Sequence, residues 1–309
     1  MTDPAANRVF SEPLAIDPAI ALTSAMVRLP TFVPGPVHGA QFVVEIAGPK
    51  SIPAASAYAL LSSPWHSALG EPEVHVMAPA DQHWRLMATS DGAGSYDSLA
   101  LAWDMVSVQG NLSVGSARHL VKVSEQFAQP LGRRAFPFPE PGEVDRTVSA
   151  LLEAREAFDI GVEVILQGPG STLEAEIWKL AAALGMDLDP EGVFVWRPQE
   201  WSFPVLILAP YEEGSAFSLQ GVRNSATFEA LSLGFNVPIS PDPESALECL
   251  FRAADAFQSR LGMAALDEDG RFLENKLRER MRSNLRQATQ SLDSAGIRPG
   301  SPLALKLFR

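Results

Sequence analysis

Apolar and polar residues alternate with the two-residue period of a β-strand in several short stretches, separated by stretches with a helical period. In the second half of the chain, Val162, Val164 and Leu166 alternate with polar neighbours, which predicts a half-buried strand. Gly185 and Gly262 follow two helical stripes, as expected where helices end. Further strands are predicted at 193–196, 205–208, 231–237 and 263–266, and helices at 171–185, 244–262 and from 273 onward.

The first half of the chain follows the same plan. Strands are predicted at 42–46, 74–77, 85–89 and 99–106, and helices at 52–61, 116–131 and 143–158. In both halves the helices would pack on one side of a sheet. The pattern therefore predicts an α+β fold of two tandem two-layer sandwiches, each an antiparallel sheet with about three helices on one face and the other face open.

Three segments of the first half recur in the same order in the second half. The matches are Val44–Pro49 with Val164–Pro169, Val74–Pro79 with Val193–Pro198, and Phe127–Gly132 with Phe257–Gly262, at offsets of 120, 119 and 130 residues. Matches this far apart indicate two similar globular units rather than a solenoid of short repeats. We predict an Ala/Pro-rich tail or linker at 1–37, a first unit at 38–158 and a second unit at 159–309.

Strand alternation also predicts which side chains lie on the open face of the second sheet. The large apolar set of each long strand should face the helices. The remaining positions form a shallow hydrophobic groove for a peptide, composed of Phe194, Trp196, Val205, Ile207, Ser232 and Gly234. Two alternatives remain open, because the two units could instead pack sheet to sheet, or the leading segment could cover this strip.

Length, charge and cysteine content narrow the class of protein. The 309 residues are 46% hydrophobic, enough for two cores, and a single cysteine excludes an internal disulfide framework. The formal net charge of −13 disfavours nonspecific binding to nucleic acid or to an anionic membrane. No apolar run is long enough to insert into a membrane, so we expect a cytoplasmic chain without a membrane anchor. Residues 271–290 carry a local excess of four positive charges, which indicates either a solvated helix face or a rim that attracts acidic peptides.

The chain offers little catalytic chemistry. Its five histidines are scattered, and Cys249 lies in a helical stripe that predicts a buried structural thiol. The run 168–172 follows a strand and precedes a helix, but it lacks the ending of a phosphate-binding loop, so a turn with a Ser171 or Thr172 cap is favoured. The run 267–270 is interpreted as a tight turn. We predict no enzyme activity, no catalytic residues, no metal site and no cofactor.

The order of elements in the second half resembles the C-terminal FtsZ-binding domain of ZipA, a bacterial division protein. The likeness covers residues 161–295. It is carried by the strand Gly161–Gln167, the helix 171–185, the strands 204–209 and 231–238, the helix 244–262, the turn 266–270 and the helix beyond it. The first half resembles a more diverged copy, and the ending 292–308 is similar to that of ZipA-like proteins with two such units.

This resemblance implies a six-stranded antiparallel sheet whose open face binds the C-terminal tail of FtsZ. It implies a non-enzymatic adaptor that supports division ring and septum assembly at the cytoplasmic face of the inner membrane. Full-length relatives carry an N-terminal anchor, which we do not expect in this chain, so it would be either a truncated form or a soluble variant that depends on a partner. The relatives also place bulkier apolar residues where Ser232 and Gly234 lie here. The alternative is a duplicated scaffold, or a small-molecule-binding protein that uses the two sheets or the cleft between the units. The oligomeric state stays open.

Overall fold

The computed structural model describes residues 9–61, 70–79, 83–89, 94–108 and 110–309, and it has an α+β fold with antiparallel sheets. The chain forms two compact units. The N-terminal unit consists of Thr31–Phe158 together with Pro302–Arg309, and the C-terminal unit consists of Asp159–Ser301 together with the leading segment that ends at Pro30. The division between 158 and 159 falls where the sequence placed it, but each end of the chain belongs to the unit at the opposite end of the sequence.

The N-terminal unit is built on a five-stranded antiparallel sheet with the strand order β4-β3-β6-β1-β9. Its strands are β1 (Gln41–Ala47), β2 (Ile52–Pro53), β3 (Glu73–Met77), β4 (Trp84–Leu86), β5 (Ser95–Tyr96), β6 (Ser98–Asp104), β7 (Val106–Ser107), β8 (Gly110–Asn111) and β9 (Arg134–Phe138). Its helices include α1 (Ala54–Leu61), α2 (Val114–Ala128) and α3 (Val144–Phe158). The predicted strand at 85–89 ends at Leu86, because Met87–Thr89 form a 3-10 turn that buries Met87.

The C-terminal unit is built on a six-stranded antiparallel sheet with the strand order β11-β12-β13-β14-β10-β15. The strands are β10 (Gly161–Leu173), β11 (Asp187–Leu188), β12 (Phe194–Trp196), β13 (Leu206–Pro210), β14 (Thr227–Asn236) and β15 (Ala264–Leu266). The helices are α4 (Glu174–Leu184), α5 (Leu219–Arg223), α6 (Pro243–Leu261) and α7 (Asn275–Ser294).

Helix α6 supplies most of the helical side of the C-terminal core. Asp242 caps its first turn by accepting a hydrogen bond from the backbone N–H of Ser245 at 3.2 Å, and Pro243 occupies the first turn, where no backbone donor is needed. Leu250 and Phe257 are fully buried and lie two turns apart on the face that packs against β10, β14 and β15. The helix ends where Gly262 adopts a left-handed conformation with φ 68°.

Helix α7 is held to α6 by arginine side chains. The ion pairs at regular spacing are Arg278 with Asp255, Arg282 with Glu248 at 2.7 Å, and Arg286 with Glu244 at 3.9 Å. The guanidinium groups of Arg278 and Arg282 also lie 5.0 and 5.1 Å from the ring centre of Phe251. The positive charge predicted for residues 271–290 is therefore largely neutralised within the unit, which does not support its interpretation as a rim for acidic peptides.

The sequence 168–172 does not end the strand that precedes it. β10 continues to Leu173, with a shift in its pairing to β14 between Gln167 and Thr172. Leu173 occupies the N-cap position of α4 without a side-chain cap, so the predicted Ser171 or Thr172 cap is wrong. The extra residues are accommodated as an irregularity in the ladder. A Cβ at Gly168 would lie 2.5 Å from the carbonyl oxygen of Gly170, so this close turn requires glycine.

The leading segment, residues 9–30, packs on the helices of the C-terminal unit instead of forming a free tail. Its backbone N–H group at Leu22 donates to the carbonyl of Leu184 at 2.9 Å, and Arg252 donates to the carbonyl of Ile20 at 3.1 Å. Leu22 and Val27 are buried. The prediction of a tail is wrong for residues 9–30, because Leu22 and Val27 are buried on either side of a short 3-10 turn at Ser24–Met26.

Two of the three internal sequence matches fall at equivalent places in the two units. Strands β1 and β10 each lie between an edge strand and a long antiparallel partner, and helices α2 and α6 each lead to a left-handed glycine, Gly132 or Gly262. The third match pairs β3 with β12, which hold different positions, because β3 borders the long partner strand whereas β12 is one strand further out. Within the described residues, no helix is both long enough and apolar enough to cross a bilayer.

Candidate functional site

The strand register divides the C-terminal sheet into two faces. Phe194, Leu208 and Leu233 lie in one cross-strand row on the face covered by helices. Side chains alternate along each strand, so the neighbouring row of Val195, Ile207 and Gly234 lies on the opposite face. We call this opposite face the outer face.

Three residues predicted to line the peptide groove are core residues instead. Phe194 and Trp196 are 2% and 3% exposed on the helical face, and the Phe194 ring lies 5.1 Å from the rings of both Trp178 and Phe217. Val205 is fully buried just before β13, where its N–H donates to the Trp196 carbonyl. The prediction oriented β12 by analogy with β3, and an error of one residue in that alignment reverses every side chain.

The other three predicted residues lie on the outer face. Ile207 pairs with Gly234, and Ser232 lies in the next row; all three are partly exposed. Their neighbours on this face were not predicted, although the inward alternation of β10 left its positions outward. These outer-face residues are Val195, Ala209, Glu163, Ile165 and Leu266. Val195 is only 1% exposed, so the outer face is covered at β12.

Small side chains occupy the outer face of β14. Gly234 lies between Ile207 and Glu163, and Ser232 lies between Ala209 and Ile165. The longer side chains of Ile207, Glu163 and Ile165 flank this strip of small residues, which we call the furrow. A Cβ on Gly234 would lie 2.7 Å from the carbonyl oxygen of Val162, so close backbone approach fixes the furrow at this point.

A charged loop borders the β15 side of the furrow. The Asp267 carboxylate accepts hydrogen bonds from the backbone N–H groups of Asp269 and Arg271, at 3.1 and 2.8 Å, and forms an ion pair with Arg280 at 3.0 Å. Burial acts to raise the pKa of Asp267, but the hydrogen bonds and charge of Arg271 outweigh it and lower that pKa overall. A cavity of about 240 Å³ lies between this loop, Glu163 and α7. The loop confirms the tight turn predicted at 267–270.

Two kinds of reactive group considered in the sequence, the lone thiol and possible metal ligands, can be located in the described residues. Burial raises the pKa of the Cys249 thiol to about 12, so the thiol stays protonated and unreactive at neutral pH. No cluster of three or more His, Cys, Asp or Glu side chains in the described ranges is placed to hold a metal ion. His66 lies outside those ranges.

No protein-family model matches this chain, and no curated protein matches it.

Proposed function

We propose that this chain is a non-enzymatic adaptor that binds a short apolar segment of a partner protein in the outer-face furrow of its C-terminal unit. The observation that carries the proposal is the small-residue floor of Ser232 and Gly234, with the aliphatic side chains of Ile207 and Ile165 beside it on a partly exposed sheet. A furrow of this shape admits the side chains of a docked segment, and an exposed apolar face stabilises them by removing their surface from water.

The resemblance to the FtsZ-binding domain of ZipA suggests the partner. We propose the C-terminal tail of FtsZ as the ligand, and two tandem ZipA-like sandwiches as the finer description of the fold. The strand order β13-β14-β10-β15 and the helices α4, α6 and α7 support this assignment. The adaptor would then act at the division septum, on the cytoplasmic face of the inner membrane.

The test is the fluorescence anisotropy of a labelled FtsZ C-terminal peptide titrated with the full chain. We expect micromolar binding by the wild type. Ile207→Asp places a carboxylate beside the furrow and should weaken binding by about 30-fold, the equivalent of the roughly 2 kcal/mol of an apolar anchor. The matched control is Leu219→Asp, which makes the same change in α5 at a side chain that is 48% exposed; it should leave the affinity unchanged.

Each outcome of this titration decides a separate part of the proposal. Equal loss of affinity in Ile207→Asp and Leu219→Asp would place the peptide elsewhere than the furrow. No binding by the wild type would remove FtsZ as the partner. A wild-type affinity that is unaffected by Ile207→Asp would refute the outer face as the docking surface.

A further inference from the structure

The short helix α8 (Pro302–Leu307) belongs to the N-terminal unit and contacts the sheet face that α2 does not cover. The register identifies this second face. Glu73, Ala102 and Val43 share one row, and Gln41 pairs with Asp104 at the end of β1. These side chains lie opposite Phe42 and Val44, which point toward the helical core.

Lys306 of α8 is bound by two carboxylates of the second face. Its Nζ lies 2.6 Å from Glu73 Oε1 and 3.1 Å from Asp104 Oδ1, and its side chain is only 13% exposed. Gln41 holds the two acids in place by donating from Nε2 to Glu73 at 3.0 Å and to Asp104 at 2.9 Å. His75, together with Lys306 and Gln41, keeps the pKa of Glu73 well below its usual range, although burial opposes this. The result is a preformed acidic clamp for one ammonium or guanidinium group.

Helix α8 also makes apolar contacts. Ala304 and Leu307 are its buried residues, and Leu303 lies 4.0 Å from the position of a Cβ on Gly39. A helix of six residues has no stability of its own in water. Its position therefore depends on these apolar contacts together with the clamp, the same two kinds of contact that hold a peptide ligand.

The second face also carries exposed aromatic side chains. On the edge strand β9, Phe136 and Phe138 are 45% and 53% exposed, and both lie on this face by register with Glu45 and Val43; the Phe138 ring contacts the His38 ring edge-on at 6.1 Å. Such features are expected of a binding face that its present occupant covers incompletely.

We propose that the second face of the N-terminal sheet is a peptide-binding site that α8 closes in cis. The partner that displaces α8 is a short apolar segment with one lysine or arginine at the position of Lys306, extended so that it also covers Phe136 and Phe138. The acidic clamp selects the basic residue, and the exposed aromatic side chains give a longer segment contacts that α8 does not make. This site is separate from the outer-face furrow of the C-terminal unit and does not depend on it.

The test uses the full chain and a fluorescent peptide of its own residues 301–309. Wild type should bind the peptide weakly, because α8 occupies the site. Lys306→Glu replaces the clamped cation by an anion facing two carboxylates, so α8 should leave and the chain should bind the peptide at least tenfold more tightly. Arg309→Glu makes the same charge change at an exposed side chain and should behave as wild type. A peptide carrying Lys306→Glu should not bind any of the three chains.

Equal peptide affinity of wild type and Lys306→Glu, with both chains folded, would overturn the proposal. If Lys306→Glu fails to fold, hydrogen exchange of the wild type decides the question. The amides of 305–308 should then exchange through a local opening while those of β1 and β6 stay protected. If the amides of α8 exchange only together with those of β1 and β6, then α8 is a fixed part of the unit. That result would refute the proposal that α8 opens to admit a peptide. Ile207→Asp should leave the affinity for the 301–309 peptide unchanged. A failure of the furrow proposal can therefore be distinguished from a failure of this one.

Discussion

Replacing Phe194 by alanine tests the assignment of the two sheet faces directly. The side chain is 2% exposed and packs edge-on to Trp178, with an angle of 88° between the rings, and against Phe217 at 47°. Phe194→Ala should therefore destabilise the C-terminal unit and leave the chemistry of the outer face unaltered. If Phe194 lay in the furrow instead, the same substitution would remove a ligand contact and cost little stability.

The expected loss follows from the burial of the ring. Truncation of a fully buried phenylalanine to alanine costs about 3–5 kcal/mol, because the transfer free energy is lost and a cavity remains. The two ring contacts account for about 0.5–1.5 kcal/mol each of interaction beyond burial. In a unit of this size the loss corresponds to a fall in Tm of about 6–20 °C. Ile207→Ala, on the opposite face and partly exposed, should cost only about 1–2 kcal/mol.

The assay measures urea unfolding through the extent of Cys249 alkylation at each urea concentration. That buried thiol lies in α6, so its reactivity reports on the C-terminal unit alone. Phe194→Ala should lower the urea midpoint well below that of Ile207→Ala. At temperatures where Phe194→Ala remains folded, its affinity for the FtsZ peptide should match that of wild type. A midpoint for Phe194→Ala equal to that of wild type, or the reverse order of the two variants, would refute the assignment of faces.

Two further predictions concern ionisable groups. Cys249, with its pKa raised to about 12 by burial, should resist iodoacetamide at pH 8 in the native protein and react once the unit unfolds; rapid native labelling would contradict its burial. The pKa of Asp267 is lowered in the folded state, so its stabilising contribution is complete above the unfolded pKa of about 4 and is lost as the pH falls below it. Urea midpoints should thus drop more between pH 5 and pH 3 in wild type than in Asp267→Asn, and parallel drops would refute the ion-pair assignment.

Local sequence patterns were sufficient to place most elements of this fold. The helix predicted at 244–262 forms at Pro243–Leu261 because its stripe, its Asp242 cap and its terminal glycine all indicate the same limits. The strands predicted at 193–196 and 231–237 also form, with shifted ends. The orientation of β12 was not predictable in this way, because three residues between irregular segments give no period that separates one face from the other.

Half of the predicted positions were assigned to the correct sheet face. Ser232 and Gly234 lie on the outer face, because the long strand β14 alternates clearly between large and small residues, and Ile207 lies beside Gly234 by register. Their role in binding a peptide stays a prediction. Ile165 and Leu266 were missed, because only the pairing of β10 with β14 and β15 brings them to the furrow. Strand pairing joins residues about 100 positions apart, and no local period carries that information.

The sequence alone determined most of the longer helices and strands, because capping residues, glycines and hydrophobic periods act within a few residues of one another. It did not predict the edge strand β9 or the short helices α5 and α8. It also determined that a lone thiol in a helical stripe would be buried. Only the tertiary structure decided that Phe194 and Trp196 belong to the core, that the leading segment packs on α4 and α6, and that Lys306 reaches Glu73 and Asp104 more than 200 residues away along the chain. These outcomes depend on register and on long-range packing, whose free energies are realised only when distant parts of the chain meet.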